Sequence, residues 1–225
     1  MRRRISATTL ALGVALALPA HADEGMWVPS QLPQLAKPLR EAGFKGKPQA
    51  LADVTAAPLR AVVRAGGGTG AFVSPDGLIL TNHHVAYGVI QYNSKPERNL
   101  VDEGFTAGDR SAELPANPDF RVLVTVGYDK VTDRVLKGTT GKTGREYFDA
   151  VDRASKAIVA ECEQEAGVRC SVANMYYGTD FYRIRQLELR DIRLVYAPPR
   201  AIGNYGDVID NIMWPPHTGG FTLLR

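Results

Sequence analysis

Cysteine is scarce in this chain of 225 residues: there are two, Cys162 and Cys170. Two cysteines eight apart, with no further ligand-type residues beside them, do not make a zinc motif, and no metal site is expected. A serine in a Gly-x-Ser-Gly turn is missing as well. The serines are Ser6, Ser30, Ser74, Ser94, Ser111, Ser155 and Ser171. None sits where a tight turn would expose its hydroxyl beside the amides of an oxyanion hole. The glycine run at residues 66–70 is not followed by Lys-Ser/Thr and a helix, so it is no phosphate loop, and no cofactor is expected. No stretch beyond the N-terminus is apolar and long enough to span a bilayer. Basic patches with interleaved aromatics are also missing, which argues against a nucleic-acid partner.

The N-terminus has its own logic. Arg2, Arg3 and Arg4 precede an apolar run at residues 7–18, then Pro19 and the small-x-small triplet Ala20-His21-Ala22. This pattern is that of a signal peptide over residues 1–22, with a mature chain starting near Asp23. The expected location is therefore the periplasm or the medium, with no membrane attachment after cleavage. Losing three arginines brings the 27 Lys and Arg into balance with the 24 Asp and Glu. The sequence pI of about 8.9 thus carries no message about an acidic partner. In an oxidising compartment a Cys162–Cys170 disulfide is expected, with two isolated buried thiols as the alternative.

Apolar content of 44% against 23% charged residues points to a packed globular core. Residues 24–46 read as an irregular segment followed by a short helix. Residues 59–64 read as a strand. Residues 71–74 and 78–81 are apolar runs on either side of Pro75-Asp76-Gly77, a β-hairpin signature. Residues 120–126 alternate and are β-branched, as a strand should be. Residues 145–166 carry Tyr147, Val151, Ala154, Ile158, Val159 and Cys162 at helical spacing. Thr143 and Glu146 fit a capping box and Gly167 a stop. Residues 187–197 return to strand character before Pro198-Pro199. The class is mostly β with a helical insertion.

The stretch most informative about chemistry runs from the glycine link through the hairpin to Thr81-Asn82-His83-His84-Val85. A rigid strand end is a good mount for a general base. The stretch resembles serine proteases built from paired β-barrels, in which the base follows such a strand and precedes a small or apolar residue. His84 is the matching position. His83 would be a neighbour with a packing or hydrogen-bonding role. The hairpin alone would also suit HtrA-type periplasmic proteases.

Other segments point elsewhere: Glu24-Gly25-Met26-Trp27, Val89-Ile90-Gln91-Tyr92, residues 190–199, Ile202-Gly203-Asn204-Tyr205-Gly206, Asp210-Asn211, Met213-Trp214-Pro215 and His217-Thr218-Gly219. Together, over residues 24–225, they resemble the bacterial dipeptidyl-peptidase 7 and 11 family. The resemblance implies a trypsin-like (chymotrypsin-type) double β-barrel with an added helical domain. It also implies removal of dipeptides from peptides with free N-termini, and a homodimer in full-length members. For this chain the expectation is the first barrel plus part of the helical domain, at about 143–167. The second barrel, home of the serine, is absent from these residues. Residues 23–225 would then be the N-terminal part of a trypsin-like serine peptidase domain.

Departures from the family pattern fall on chemically important positions. The family's triad aspartate belongs in His-Thr-Gly-Asp-Phe, and here the text is His217-Thr218-Gly219-Gly220-Phe221. Without that carboxylate nothing fixes the tautomer of the base or stabilises its imidazolium. Asp207 and Asp210 are the nearby alternatives. Asn211 matches a residue that binds the substrate's N-terminal end, but Ile212 replaces the tryptophan beside it. Cysteines common in the glycine link and after the second histidine are replaced by Gly68-Thr69 and by Val85. Two readings follow: a serine-type dipeptidyl-peptidase with His84 as base, or a catalytically inactive remnant or peptide-binding module. The HtrA-like reading rests on the hairpin alone.

Overall fold

The computed structural model describes residues 27–203 and 219–225. Ten strands form one antiparallel sheet. They are β1 (Val62–Ala65), β2 (Gly68–Phe72), β3 (Ile79–Asn82), β4 (Phe105–Thr106), β5 (Leu114–Pro115), β6 (Val122–Lys130), β7 (Val168–Met175), β8 (Asp180–Leu189), β9 (Arg193–Ala197) and β10 (Phe221–Leu224). Six helices accompany them: α1 (Ala36–Glu41), α2 (His83–Asn93), α3 (Leu100–Glu103), α4 (Thr132–Leu136), α5 (Gly144–Cys162) and α6 (Arg200–Gly203).

The strand order is β4-β9-β10-β3-β2-β1-β6-β8-β7, with β5 also on β9. This corrects the expectation of a trypsin-like first barrel. Closure needs the first and last strands to hydrogen-bond, and here β4 and β7 stand at opposite ends of an open path. Strand lengths explain why. Of the four residues of β1, three pair with β6, and only with its start, at Val122, Leu123 and Val124. Beyond that point a bulge between Thr125 and Gly127 interrupts the β6–β8 register. A bulge bends and twists its strand, so the rest of β6 runs on with β8 and β7 as a three-stranded arm instead of curling back.

Elsewhere local chemistry and structure agree closely. β2 and β3 form the hairpin across Ser74 to Leu78, where Gly77 takes φ +80°. The long helix spans Gly144–Cys162, but the Thr143 side chain makes no capping hydrogen bond. Residues 187–197 are two strands, not one. They are broken at Asp191, which adopts φ +56°, a region that Asp tolerates better than most residues.

The main core lies under α2. Val63 and Ala65, Ile79, Ala86, Val89 and Ile90, Leu100 and Val101, Val122, Leu194 and Leu224 form one buried cluster. A second, smaller cluster of Val131, Val135, Ile158 and Phe181 sits where α4 and α5 meet the arm.

Candidate functional site

The histidine pair opens α2, directly after β3. Asn82 is still extended (φ −70°, ψ 149°), and helical geometry begins at His83. The mount is therefore a strand-to-helix junction. Helical periodicity then separates the two imidazoles. Buried residues of α2 are His83, Ala86, Val89 and Ile90, a stripe at spacings of three and four that faces the core. His84, one residue on, turns about 100° away from that stripe and is exposed. His83 is fully buried at 0% exposure. Its ring meets Tyr87 edge-on, with centroids 6.0 Å apart.

The junction is held from two sides. In β3, Thr81 Oγ1 donates to the Thr69 carbonyl of β2 at 2.8 Å. On the other side β10 pairs with β3, Phe221 opposite Asn82 and Thr222 opposite Thr81. One step before Phe221, the Gly220 carbonyl accepts the His83 N–H at 2.9 Å. Gly220 is buried. Residues 83 and 220, far apart in sequence, are thus backbone partners, so a side chain at position 220 would start beside the histidine pair.

Three contacts at this site had little signal in the sequence. A Cβ on Gly203 of α6 would lie 2.6 Å from His83 Cδ2, so the absence of a side chain there makes room for the buried ring. A Cβ on Gly68 would lie 2.4 Å from Val85 Cγ2. The two positions where the family resemblance puts cysteines are therefore neighbours in space, and the Val85 methyls fill the gap. Arg200 donates from Nη2 to the Tyr87 hydroxyl at 3.2 Å, which ties α6 to α2. Residues 202–206 entered the sequence analysis only through the family resemblance, and nothing local indicated that Gly203 pads a histidine.

Other expected site residues fall differently. Asn211 and Ile212, with Asp207, Asp210 and His217, lie outside the described residues, as does the leader expected at 1–22. Cys162 and Cys170 are joined in a disulfide with Cα atoms 6.1 Å apart. It clips the end of α5 to β7, in the arm. Among the described residues, no helix is long and apolar enough to cross a membrane.

The histidine pair thus stands at a strand-to-helix junction braced by a returning strand. Residues 22–225 match the model of the peptidase S46 family, and the chain belongs to that family. It is 43% identical over 209 residues to the Asp/Glu-specific dipeptidyl-peptidase of Shewanella putrefaciens, covering 92% of this chain and 28% of that protein. To dipeptidyl-peptidase 7 of Capnocytophaga gingivalis it is 33% identical, covering all of this chain and 32% of the relative. The crystal structure of Porphyromonas endodontalis DPP11 in complex with the dipeptide Arg-Glu superposes with a TM-score of 0.77 at 31% identity, over 91% of this chain and 30% of that one. The chain therefore spans about a third of the length of these relatives.

Proposed function

We propose that these residues are the base-bearing portion of an exported serine dipeptidyl-peptidase scaffold that has lost hydrolytic competence, leaving an inactive remnant or a peptide-binding module. His84 is the residue that would serve as general base. It is exposed, as a group that must reach substrate has to be, while His83 is committed to the core.

The observation that carries this reading is the contact between Gly220 and His83. The position where the family resemblance calls for the triad aspartate is buried beside the histidines and holds no side chain. In a Ser-His-Asp triad that carboxylate orients the base and stabilises its cation, and losing its charge costs on the order of 10⁴ in rate. Peptides with free N-termini remain the ligand class, with Asn211 as the residue that would contact the terminal amine.

The test is direct. The chain is incubated with fluorogenic dipeptidyl substrates of acidic and apolar type, and with a fluorophosphonate that labels activated serines. No turnover and no labelling are expected. Turnover that His84→Ala abolishes would sink the proposal. Fluorescence anisotropy with free and N-acetylated peptides then separates the two outcomes: binding of the free form alone marks a peptide-binding module, and no binding marks a remnant.

A further inference from the structure

A second chemically distinctive place lies on the sheet, outside the histidine site. Residues directly opposite in antiparallel strands share a face, as do residues two apart on one strand. Arg64 is opposite Leu123, and Leu123 is opposite Glu188. Arg121 and Arg190 lie two positions from Leu123 and Glu188, so they join the same face. Arg169 reaches in from β7. With Gly66 and Asp119 these residues line a cavity of about 390 Å³.

Glu188 is the hub. Its side chain is 7% exposed and accepts from Arg121 Nε at 2.8 Å, Arg190 Nε at 2.8 Å and Arg169 Nε at 2.5 Å. These bonds, Arg169's first, overcome the cost of burial and hold the carboxyl well below the usual range, at about 2. Each of these three arginines spends its Nε on Glu188, which fixes the guanidinium planes, and Arg169 also pairs from Nη1 with Glu163 at 3.9 Å. Arg121 uses Nη1 on the Pro118 and Phe120 carbonyls. Arg64 makes no side-chain hydrogen bond or ion pair among the described residues. Four guanidiniums against Glu188, Asp119 and Glu163, the last paired with Arg169 at 3.9 Å, leave one positive charge uncompensated at the cavity.

This arrangement favours one ligand chemistry. A carboxylate occupies one fork, whereas a phosphoryl group offers three acceptor oxygens to donors that arrive from several strands. Guanidiniums held rigid by a buried carboxylate lose little freedom on binding. The Gly66 N–H is already given to the Arg121 carbonyl at 2.8 Å, so the guanidiniums are the donors the cavity offers.

We propose that this cavity binds a dianionic phosphoryl group through Arg64, Arg121, Arg169 and Arg190, independently of the histidine site. The group could be supplied by a free small phosphate or by a lipid headgroup. The full chain is titrated with inorganic phosphate by calorimetry at constant ionic strength. In parallel it is floated with phosphatidylcholine vesicles with and without phosphatidate. Saturable phosphate binding is expected, weakened about tenfold by Arg64→Ala and by Arg190→Ala, the equivalent of one charge-assisted contact each. Binding to phosphatidate vesicles alone, lost in the same variants, would support the site with a lipid headgroup as its source. No binding to either probe would overturn the proposal. So would binding that both variants leave unchanged while their circular dichroism and melting show a folded chain. Both side chains are exposed, and Arg64→Gln, which keeps most of the apolar stem, provides a second variant at the position with no ion pair to lose.

Discussion

The sheet has two ends that are held together by different physics. Around the histidine pair, fourteen apolar residues from eight elements and one connection form one buried cluster. In the arm of β6, β8 and β7 with α4 and α5, the buried apolar cluster is four residues. What the arm lacks in core it replaces with charge and a covalent bond. Lys130–Asp180 and Arg183–Asp129 close at 2.7 Å, Arg134–Glu161 at 2.5 Å, and Arg185 pairs with Glu165. Glu188 gathers three arginines, and Cys162–Cys170 ties helix to strand. Exposed ion pairs contribute about 0–1 kcal/mol each. The disulfide and the buried Glu188 hub should therefore matter most there. Apolar burial answers to packing alone, whereas the arm should answer to redox state and acidity.

The largest effect should come from the core. Leu194, fully buried in β9, is expected to cost about 2–5 kcal/mol when changed to Ala, measured by urea unfolding. A loss under about 1 kcal/mol would break the contrast, because the histidine end would then not depend on its core.

Reduction of Cys162–Cys170, or Cys162→Ser with Cys170→Ser, comes next. The bond closes a short loop, for which chain entropy gives about 2–3 kcal/mol. Hydrogen exchange should quicken in α5 and β7 and stay unchanged in β9 and β10. Equal acceleration at both ends would show that the arm is not a separate unit of stability.

The smallest effect is a pH dependence. A carboxyl whose folded pKa is depressed stabilises fully above its unfolded value and loses that contribution as pH falls through the folded one. For Glu188 the window runs from 4.5 down to about 2. Acid melting followed by arm-specific exchange should show a stability loss across that range. Glu188→Gln should flatten it, while lowering the melting temperature at neutral pH. A variant with the acid limb intact would assign the loss to other carboxylates.

Much of this was written in local sequence. The hairpin at 71–81 followed from Pro75-Asp76-Gly77, and the long helix from the spacing of its apolar residues, because turn chemistry and periodicity act over a few residues. The histidine pair and its family resemblance were legible for the same reason. The capping box at Thr143 was not realised, since a favourable residue pair does not compel its hydrogen bond when the chain enters the helix another way. The barrel was misread because closure depends on how far β6 outruns β1 and on a bulge at Thr125 to Gly127, and neither leaves a pattern in composition or alternation.

Sequence alone therefore determined most of the element types, the histidine pair and the glycine at position 220. Tertiary structure decided what those residues mean together. It set which histidine is buried, because α2 turns one face to a core assembled from distant strands. It brought Gly220 to the His83 amide, because β10 returns to pair with β3. It also placed four arginines around one glutamate, since cross-strand register, invisible in a linear text, aligns side chains from β1, β6, β7 and β8 on one face.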